Sequence, residues 1–325
     1  MTLKPYIFHP YLKRVVWGGN KIASYKGIRQ TIKNIGESWE ISCITGHESI
    51  CADRGFPADE DKGLNLRQLV EKYQERLVGK PVYETFGTDF PLLVKFIDSA
   101  QDLSIQVHPN DELAHERHGC CGKTEMWYII QAEEDARICA GLKESITPDE
   151  LEQLAYAEDS DANTFAHIIA SHDSHAGDCF YLPSGRIHTI CRGNLLCEIQ
   201  QTSDITYRIF DYGRKDADGN ARELHIEQAR DAIDYQVHPE YRTLYDQSKP
   251  SVELVRCPYF TVRREMVSGE STIDYHTESF VIVVCIEGKI TLNGVAAKQG
   301  QVLLVPACDN ILNIKGEATL LTAFV

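Results

Sequence analysis

The chain has 325 residues, of which 43% are hydrophobic and 25% charged, the balance of a globular protein and not of a disordered or fibrous one. There are 48 acidic residues against 33 lysines and arginines, a formal charge of -15. A protein that neutralises phosphate backbones needs the opposite excess, so no nucleic acid is expected as a partner.

No apolar run approaches the ~20 residues that span a bilayer, so no membrane association is expected. The opening MTLKPYIFHPYLK lacks an apolar stretch and a cleavage site and reads as untargeted. The eleven cysteines are odd in number, scattered and free of any CxxC pair. They read as reduced thiols acting as small hydrophobes, which places the chain in the cytoplasm.

In chain order, short runs rich in Val, Ile, Phe and Tyr recur between turn residues: WEISCI, LLVKFID, LSIQVH, MWYIIQA, CFYLP, LLCEIQ, FTVRREM, FVIVVCIEG, QVLLVP and ATLLTAFV. This spacing predicts antiparallel sandwiches or barrels. Helices read as insertions. Asn65 caps one whose face carries Leu66, Leu69, Val70, Tyr73 and Leu77, with Gly79 and Pro81 ending it. Asp111, Glu112 and Leu113 open a second, which Gly119 stops. Thr147-Pro148-Asp149-Glu150 opens a third, running through LEQLAYA and NTFAHIIA.

The chain also repeats itself. Gly177-DCFYL-Pro183-S-Gly185-RI-His188 corresponds to Gly300-QVLLV-Pro306-A-Cys308-DN-Ile311, and Glu125-MWYIIQAE to Ser279-FVIVVCIE. The first copy carries about thirty extra residues between Gly141 and Gly177, the segment that contains Thr147. The expected fold is therefore mainly β, with two β-barrels and helical insertions in the first (about 64–80, 110–118 and 147–170). Residues 1–240 form the metal-binding barrel and residues 250–325 a degenerate C-terminal barrel without a metal site.

Gly-x5-Pro-x-Gly-x2-His is the second cupin motif, and residues 177–188 meet every position of it. Gln106-Val107-His108 stands where the first motif has paired histidines, and Glu125 is the downstream acid. Strand alternation puts residues 106 and 108 on one face. A single buried histidine is commonly a satisfied core residue. The joint pattern of Gln106, His108, Glu125 and His188 points instead to a metal, with a mixed donor set that suits Zn and chemically also Mn, Fe, Co or Ni. In the second copy Ser279 and Ile311 replace the glutamate and the histidine. His115, His118, Cys120 and Cys121 form a weaker cluster that a helix end explains equally well, and His172 and His175 read as solvated loop residues. Lys95, Lys123, Arg186 and Arg208 fall near the constellation, as cations that would meet a charged substrate such as a phosphate. Ser104 points the same way as Gln106.

LLVKFIDSAQDLSIQVHPND, GKTEMWYII, PSGRIHTI and SDITYRIFDYGR together resemble the type I phosphomannose isomerases (mannose-6-phosphate isomerases), in their short bacterial form. The resemblance implies one zinc ion per chain on Gln106, His108, Glu125 and His188. It also implies a catalytic arginine at Arg208, an active-site acid at Glu198, and a sugar-phosphate pocket lined by Ser104, Lys95 and Lys123. The implied reaction interconverts mannose 6-phosphate and fructose 6-phosphate through an enediol, with Glu198 as the leading base and Glu40 as a further acid facing the pocket. The implied partner is a small-molecule sugar phosphate, and the chain is expected as a monomer or weak homo-oligomer. A non-catalytic metal-containing sugar-binding cupin and a mononuclear iron dioxygenase are the competing readings for this fold.

Overall fold

Alternation of apolar and polar residues along the strands decides how the layers stack. A computed structural model describes residues 3–29, 32–54, 59–157, 161–215 and 219–325. It is mainly β, in three antiparallel sheets. A six-stranded sheet runs in the order Cys179–Leu182, Glu125–Ala132, Asn194–Gln201, Leu92–Asp98, Ile35–Ile41, Tyr11–Gly19. A five-stranded sheet runs Tyr207–Phe210, Ile105–Val107, His188–Ile190, Arg137–Leu142, Ile169–Asp173. The third sheet is built mostly from residues after 250, but the strand Tyr6–His9 joins it, with Tyr6 opposite Leu304 and Ile7 opposite Leu303. Among the described residues no helix is long and apolar enough to cross a membrane.

The six-stranded sheet is buried on both faces. One face sends Phe96, Met126, Tyr128, Cys197 and Ile199 against Phe260, Val262, Phe280, Ile282 and Leu321 of the C-terminal half, which forms the largest apolar core. Phe90 and Phe280 meet within it at 4.4 Å between ring centroids, a contact worth about 1 kcal/mol beyond its buried area. The alternate residues of the same strands, Lys95, Glu125, Trp127 and Glu198, face the five-stranded sheet. The outer face of that sheet is covered by the helices Pro148–Tyr156, Ala162–Ala166 and Ile226–Ala232.

The internal repeat recurs in strand order. The sequence Cys179, Glu125, Asn194, Leu92 across the six-stranded sheet is matched by Val302, Val281, Leu312, Thr261 in the C-terminal sheet. Two strands that turns separate in the first copy are one continuous strand, Val281–Leu292, in the second, with a register shift between Cys285 and Glu287. Gly288 sits at this place with φ +88°, and a Cβ there would lie 2.0 Å from Glu317 O; only glycine allows the strands to bend so closely.

The helical segments depart from the sequence expectation in detail. Asn65 caps the helix Leu66–Tyr73 in a reciprocal box with Gln68, but Gln74 breaks it at φ +48°, and a short turn Glu75–Val78 follows. Pro81 does not end a helix; it lies in the first turn of the next one, Lys80–Phe86, where a missing N–H costs nothing. Asn110 caps Asp111–His118, and Gly119 closes it in the left-handed conformation. Thr147 and Glu150 form the second capping box, ahead of Pro148–Tyr156. Residues 158–160 of the expected 147–170 insertion lie outside the described residues. Its end is not helical: Ile169–Asp173 pairs with Arg137–Leu142, so His172 is a half-buried strand residue and not a loop residue.

Glu40 does not face the pocket. It is 4% exposed and takes the Lys26 ammonium, itself 7% exposed, together with the Ser38 hydroxyl. Lys26 also donates to Gly300 O at 2.8 Å, so the pair fastens the N-terminal helix Lys21–Lys26 to the C-terminal sheet. Glu40→Ala leaves a buried ammonium without its counter-charge, and unfolding in urea is expected to show a loss of about 3 kcal/mol. A loss under about 1 kcal/mol would show that water already reaches Lys26.

Candidate metal centre

Two rows of side chains, set by antiparallel register, face each other across the space between the five- and six-stranded sheets. In the five-stranded sheet Arg208 is opposite Gln106, Gln106 opposite His188, and His188 opposite Ala140. In the six-stranded sheet Trp39 is opposite Lys95, Lys95 opposite Glu198, Glu198 opposite Trp127, and Trp127 opposite Phe180. One step along, Gln200 is opposite Glu125. Directly opposed residues share a face, so residues far apart in sequence converge without any loop having to carry them.

His108, Glu125 and His188 offer ligand atoms that all lie within 4.8 Å of one another, and all three residues are buried. Glu125 Oε1 is 3.5 Å from His188 Nε2, and Oε2 is 3.6 Å from His108 Nε2. Each histidine has its other ring nitrogen against a backbone carbonyl: His108 Nδ1 is 2.9 Å from Ile205 O and His188 Nδ1 is 2.8 Å from Arg186 O. Carbonyls only accept, so both Nδ1 atoms carry hydrogen and both Nε2 lone pairs point inward, the orientation that ligating imidazoles take. Gln106 presents its amide nitrogen to His188 Nε2 at 3.2 Å, and a half-turn of the amide exchanges nitrogen for oxygen. Ser104 Oγ donates to Gln106 Oε1 at 3.1 Å. Gly185, at φ +88° in the PSGRIH turn, donates its N–H to His108 O at 2.9 Å and so ties the two histidine segments together.

These residues fit a cation. Glu125 is fully buried, yet neither of its oxygens has a hydrogen-bond partner among the described residues. Lys123 Nζ comes within 2.8 Å of Oε2, but off the direction that a hydrogen bond requires, and within 2.9 Å of His108 Nε2. The ammonium thus places positive charge against two of the candidate ligands. Burial works against the charge on Glu125, but the Lys123 ammonium outweighs it and holds the carboxyl well below its usual range. Burial, with Lys123 adding to it, pushes His108 down to about 3, and burial lowers His188 as well. Two neutral imidazoles, a carboxylate and a rotatable amide make a donor set for a divalent ion of the zinc type.

Beside this cluster lies a second charged row. Lys95 donates to Glu198 at 3.0 Å and to Gln200 at 2.7 Å, and it is 3.9 Å from Glu37. Burial opposes its charge, but Glu198 and Glu37 more than offset this and raise its pKa. Trp127 Nε1 donates to the other oxygen of Glu198 at 2.9 Å, and its ring stands edge-on to His188 at 5.3 Å. Arg208 is half-buried; its Nε has no hydrogen-bond partner among the described residues, and burial, with Arg222 adding to it, lowers its pKa. Arg214 and Arg222 both engage Asp211 next to it, so two guanidinium groups share one carboxylate there.

Lys95, Lys123, Gln106, His108, Glu125, His188 and Glu198 therefore lie in one connected set of contacts, with Ser104 against Gln106 and Arg208 in the same cross-strand row. Arg186 does not join them. Its guanidinium turns to Tyr181 O and the Tyr241 ring. Nor do His118 and Cys121 form a cluster: His118 bonds the Tyr207 hydroxyl and Cys121 the Thr202 carbonyl. Gln200, Trp127 and Glu37 escaped the sequence reading. For the first two a signal existed, since each lies two residues from a recognised site residue on a strand. Glu37 and not Glu40 is the acid that the GESWEIS strand turns to the site. In the C-terminal sheet Ile311 is 42% exposed, and Leu312 opens its strand as His188 opens the first, in an interior filled by Val283, Leu292, Leu303 and Ile314.

Residues 7–152 match the family described as phosphomannose isomerase type I, catalytic domain, and residues 251–325 match the mannose-6-phosphate isomerase cupin domain. A mannose-6-phosphate isomerase of Bacillus subtilis is 35% identical over 293 residues, covering 89% of this chain and 87% of the relative. One from Streptococcus mutans is 34% identical over 311 residues, covering 93% and 92%. The crystal structure of the mannose 6-phosphate isomerase from Bacillus subtilis superposes with a TM-score of 0.84 at 31% identity, over 99% of this chain and 100% of that one.

The histidines make the metal-free protein sensitive to acid. An unfolded histidine binds its proton near pH 6.5, whereas His108 resists until about 3. Between these values the unfolded chain holds the extra proton, so stability falls as pH is lowered through that window. Urea unfolding from pH 6.5 to 5 is expected to lose up to about 1.4 kcal/mol per pH unit from His108. His108→Gln should flatten the profile by that amount; equal slopes in the two proteins would contradict the assignment.

Proposed function

The chain belongs to the type I phosphomannose isomerases, and on that footing we propose that it interconverts mannose 6-phosphate and fructose 6-phosphate with one zinc ion held by Gln106, His108, Glu125 and His188. The observation that carries this reading is the buried Glu125 carboxylate, which has no hydrogen bond among the described residues and is faced by two imidazole lone pairs. Two cupin-type barrels, residues 1–240 and 250–325, form its architecture, with the strand Tyr6–His9 lent by the first segment to the sheet of the second. The chain works as a monomer or weak homo-oligomer. Its eleven free thiols support a reducing compartment such as the cytoplasm.

Gln106, His108, Glu125 and His188 would hold a divalent ion, which would supply Lewis acidity toward the sugar carbonyl. The protein's own groups do the rest. Isomerisation moves a proton between C2 and C1 through an enediol, which requires a base and a partner for the negative oxygen. Glu198 is the base. Lys95 and Trp127 fix its two oxygens in place while leaving each a further lone pair. Arg208 stays cationic at any ordinary pH, so it cannot take the proton; it stabilises the charge that develops on the oxygen or the phosphate. Lys123 and the arginines around Asp211 draw the phosphate into a protein of opposite overall sign. Ser104 orients Gln106 and offers a hydroxyl to the sugar.

A coupled assay for fructose 6-phosphate formed from mannose 6-phosphate tests the reading. Turnover should vanish with chelator and return with zinc, and His188→Ala should lose both metal and turnover. A folded, metal-loaded protein without turnover would sink it. Arg208→Lys keeps the charge but loses the planar fork, and kcat is expected to fall on the order of 100-fold. Near-normal turnover in that variant would leave the guanidinium no specific role.

A further inference from the structure

Cys139 lies within the strand Arg137–Leu142, and Cys191 directly follows the strand His188–Ile190. Thr189 is opposite Cys139, Ile190 is opposite Ile138, and the Cys191 N–H donates to Arg137 O at 3.1 Å. This register sets the two cysteines diagonally across neighbouring strands, on the face away from the apolar interior that holds Ile138 and Ile190. Their sulfurs are 3.6 Å apart, and both side chains are partly exposed. A disulfide spans about 2.05 Å, so closure needs the sulfurs to approach by roughly 1.5 Å, and a diagonal pair closes with a local shift of its two strands.

The two thiols differ in character. The hydrogen bond with Cys191 is the main cause that lowers the Cys139 pKa; burial opposes it, while Ser171 and Arg137 add to it. The same bond, together with burial, raises Cys191. Either sulfur can donate in that bond, but Ser171, the register partner of Cys139 on its other side, adds a hydroxyl there alone, which makes Cys139 the nucleophile and Cys191 the thiol that resolves it.

We propose that Cys139 and Cys191 form a peroxide-sensitive dithiol whose oxidation to a disulfide reversibly slows the enzyme. The Cys139 thiolate attacks one oxygen of hydrogen peroxide and the O–O bond breaks. Cys139 becomes a sulfenic acid, and the departing hydroxide leaves as water with the proton that Cys139 released on ionising. The Cys191 sulfur then attacks the Cys139 sulfur. The S–S bond forms, the S–O bond breaks, and a second water carries away the Cys191 proton. Two thiols are oxidised, and one peroxide is reduced to two waters.

The link to the metal centre is short. Cys139 precedes Ala140, the register partner of His188, and Cys191 stands three residues beyond His188. The Cys191 carbonyl also receives Ser99 Oγ at 2.8 Å and Asn194 Nδ2 at 2.9 Å. Drawing the sulfurs together shears the strand pair that aims His188.

The test treats zinc-loaded enzyme with hydrogen peroxide, alkylates the remaining thiols and maps the peptides. A 139–191 linkage, lighter by two hydrogen atoms, should accumulate in step with a fall in kcat on the order of tenfold, the scale of a disturbed ligand support. Dithiothreitol should reverse both changes. Cys139→Ser and Cys191→Ser should keep the untreated activity and lose the peroxide response. The kinetic half rests on the isomerase reading, but the linkage does not: absent turnover before treatment fails that reading, while a working enzyme that forms no linkage overturns this proposal. So does full linkage with unchanged kcat, or an undiminished response in Cys139→Ser, which would trace the effect to other thiols such as Cys120, Cys121 or Cys308.

Discussion

A carboxylate buried with neither oxygen hydrogen-bonded among the described residues is the constraint on which the N-terminal half of this chain depends. In an apolar interior the ionised form of Glu125 is tolerable only with positive charge beside it, and the Lys123 ammonium supplies that charge. Against its burial, Lys123 holds its pKa low in the protein alone. A divalent ion among the same atoms would complete the compensation. The histidines answer the constraint from the other direction. Their Nδ1 hydrogens are held by carbonyls of Ile205 and Arg186, so neither ring can turn away without breaking a buried hydrogen bond.

Meeting that constraint takes a scaffold in which neighbouring strands keep their register. The row Arg208, Gln106, His188 and the row Lys95, Glu198, Trp127 come from strands that are distant in sequence but adjacent in their sheets. A slip of one residue in any of these strands would turn its site residue into the opposite core. The apolar residues that alternate with the site, Phe96, Met126, Cys197 and Ile199 on one side and Ile105, Val107 and Tyr207 on the other, are what fix the register. The packing against the C-terminal half and against the helices thus positions the polar groups.

The C-terminal copy shows what the same strand order becomes when the constraint is absent. With Leu312 at the start of the strand that corresponds to the His188 strand, and Val283, Leu292, Leu303 and Ile314 around it, the interior is a packed apolar core. Strands that turns separate in the first copy run on continuously here, with close backbone approaches at Gly288 and Gly316. The copy offers its outer face to the six-stranded sheet and so supports the site from behind.

How much of this was legible depends on the range of the interaction involved. The sequence by itself determined the strands, the helix caps at Asn65 and Thr147 and the repeat, and it named His108, Glu125 and His188 as candidate ligands, because alternation, capping chemistry and motif spacing act within a few residues. It also pointed to Lys95, Lys123 and Glu198 by family resemblance, while Trp127 and Gln200 lay one alternation step from recognised positions. Only the tertiary structure decided that Glu37 and not Glu40 turns to the pocket, since a register shift beside Trp39 and the pull of Lys26 set that face. Only it decided that Pro81 opens a helix, that Ile169–Asp173 completes a sheet, that Tyr6–His9 pairs across nearly the whole chain, and that Cys139 meets Cys191. In each case the deciding contact joins segments whose separation no local pattern encodes.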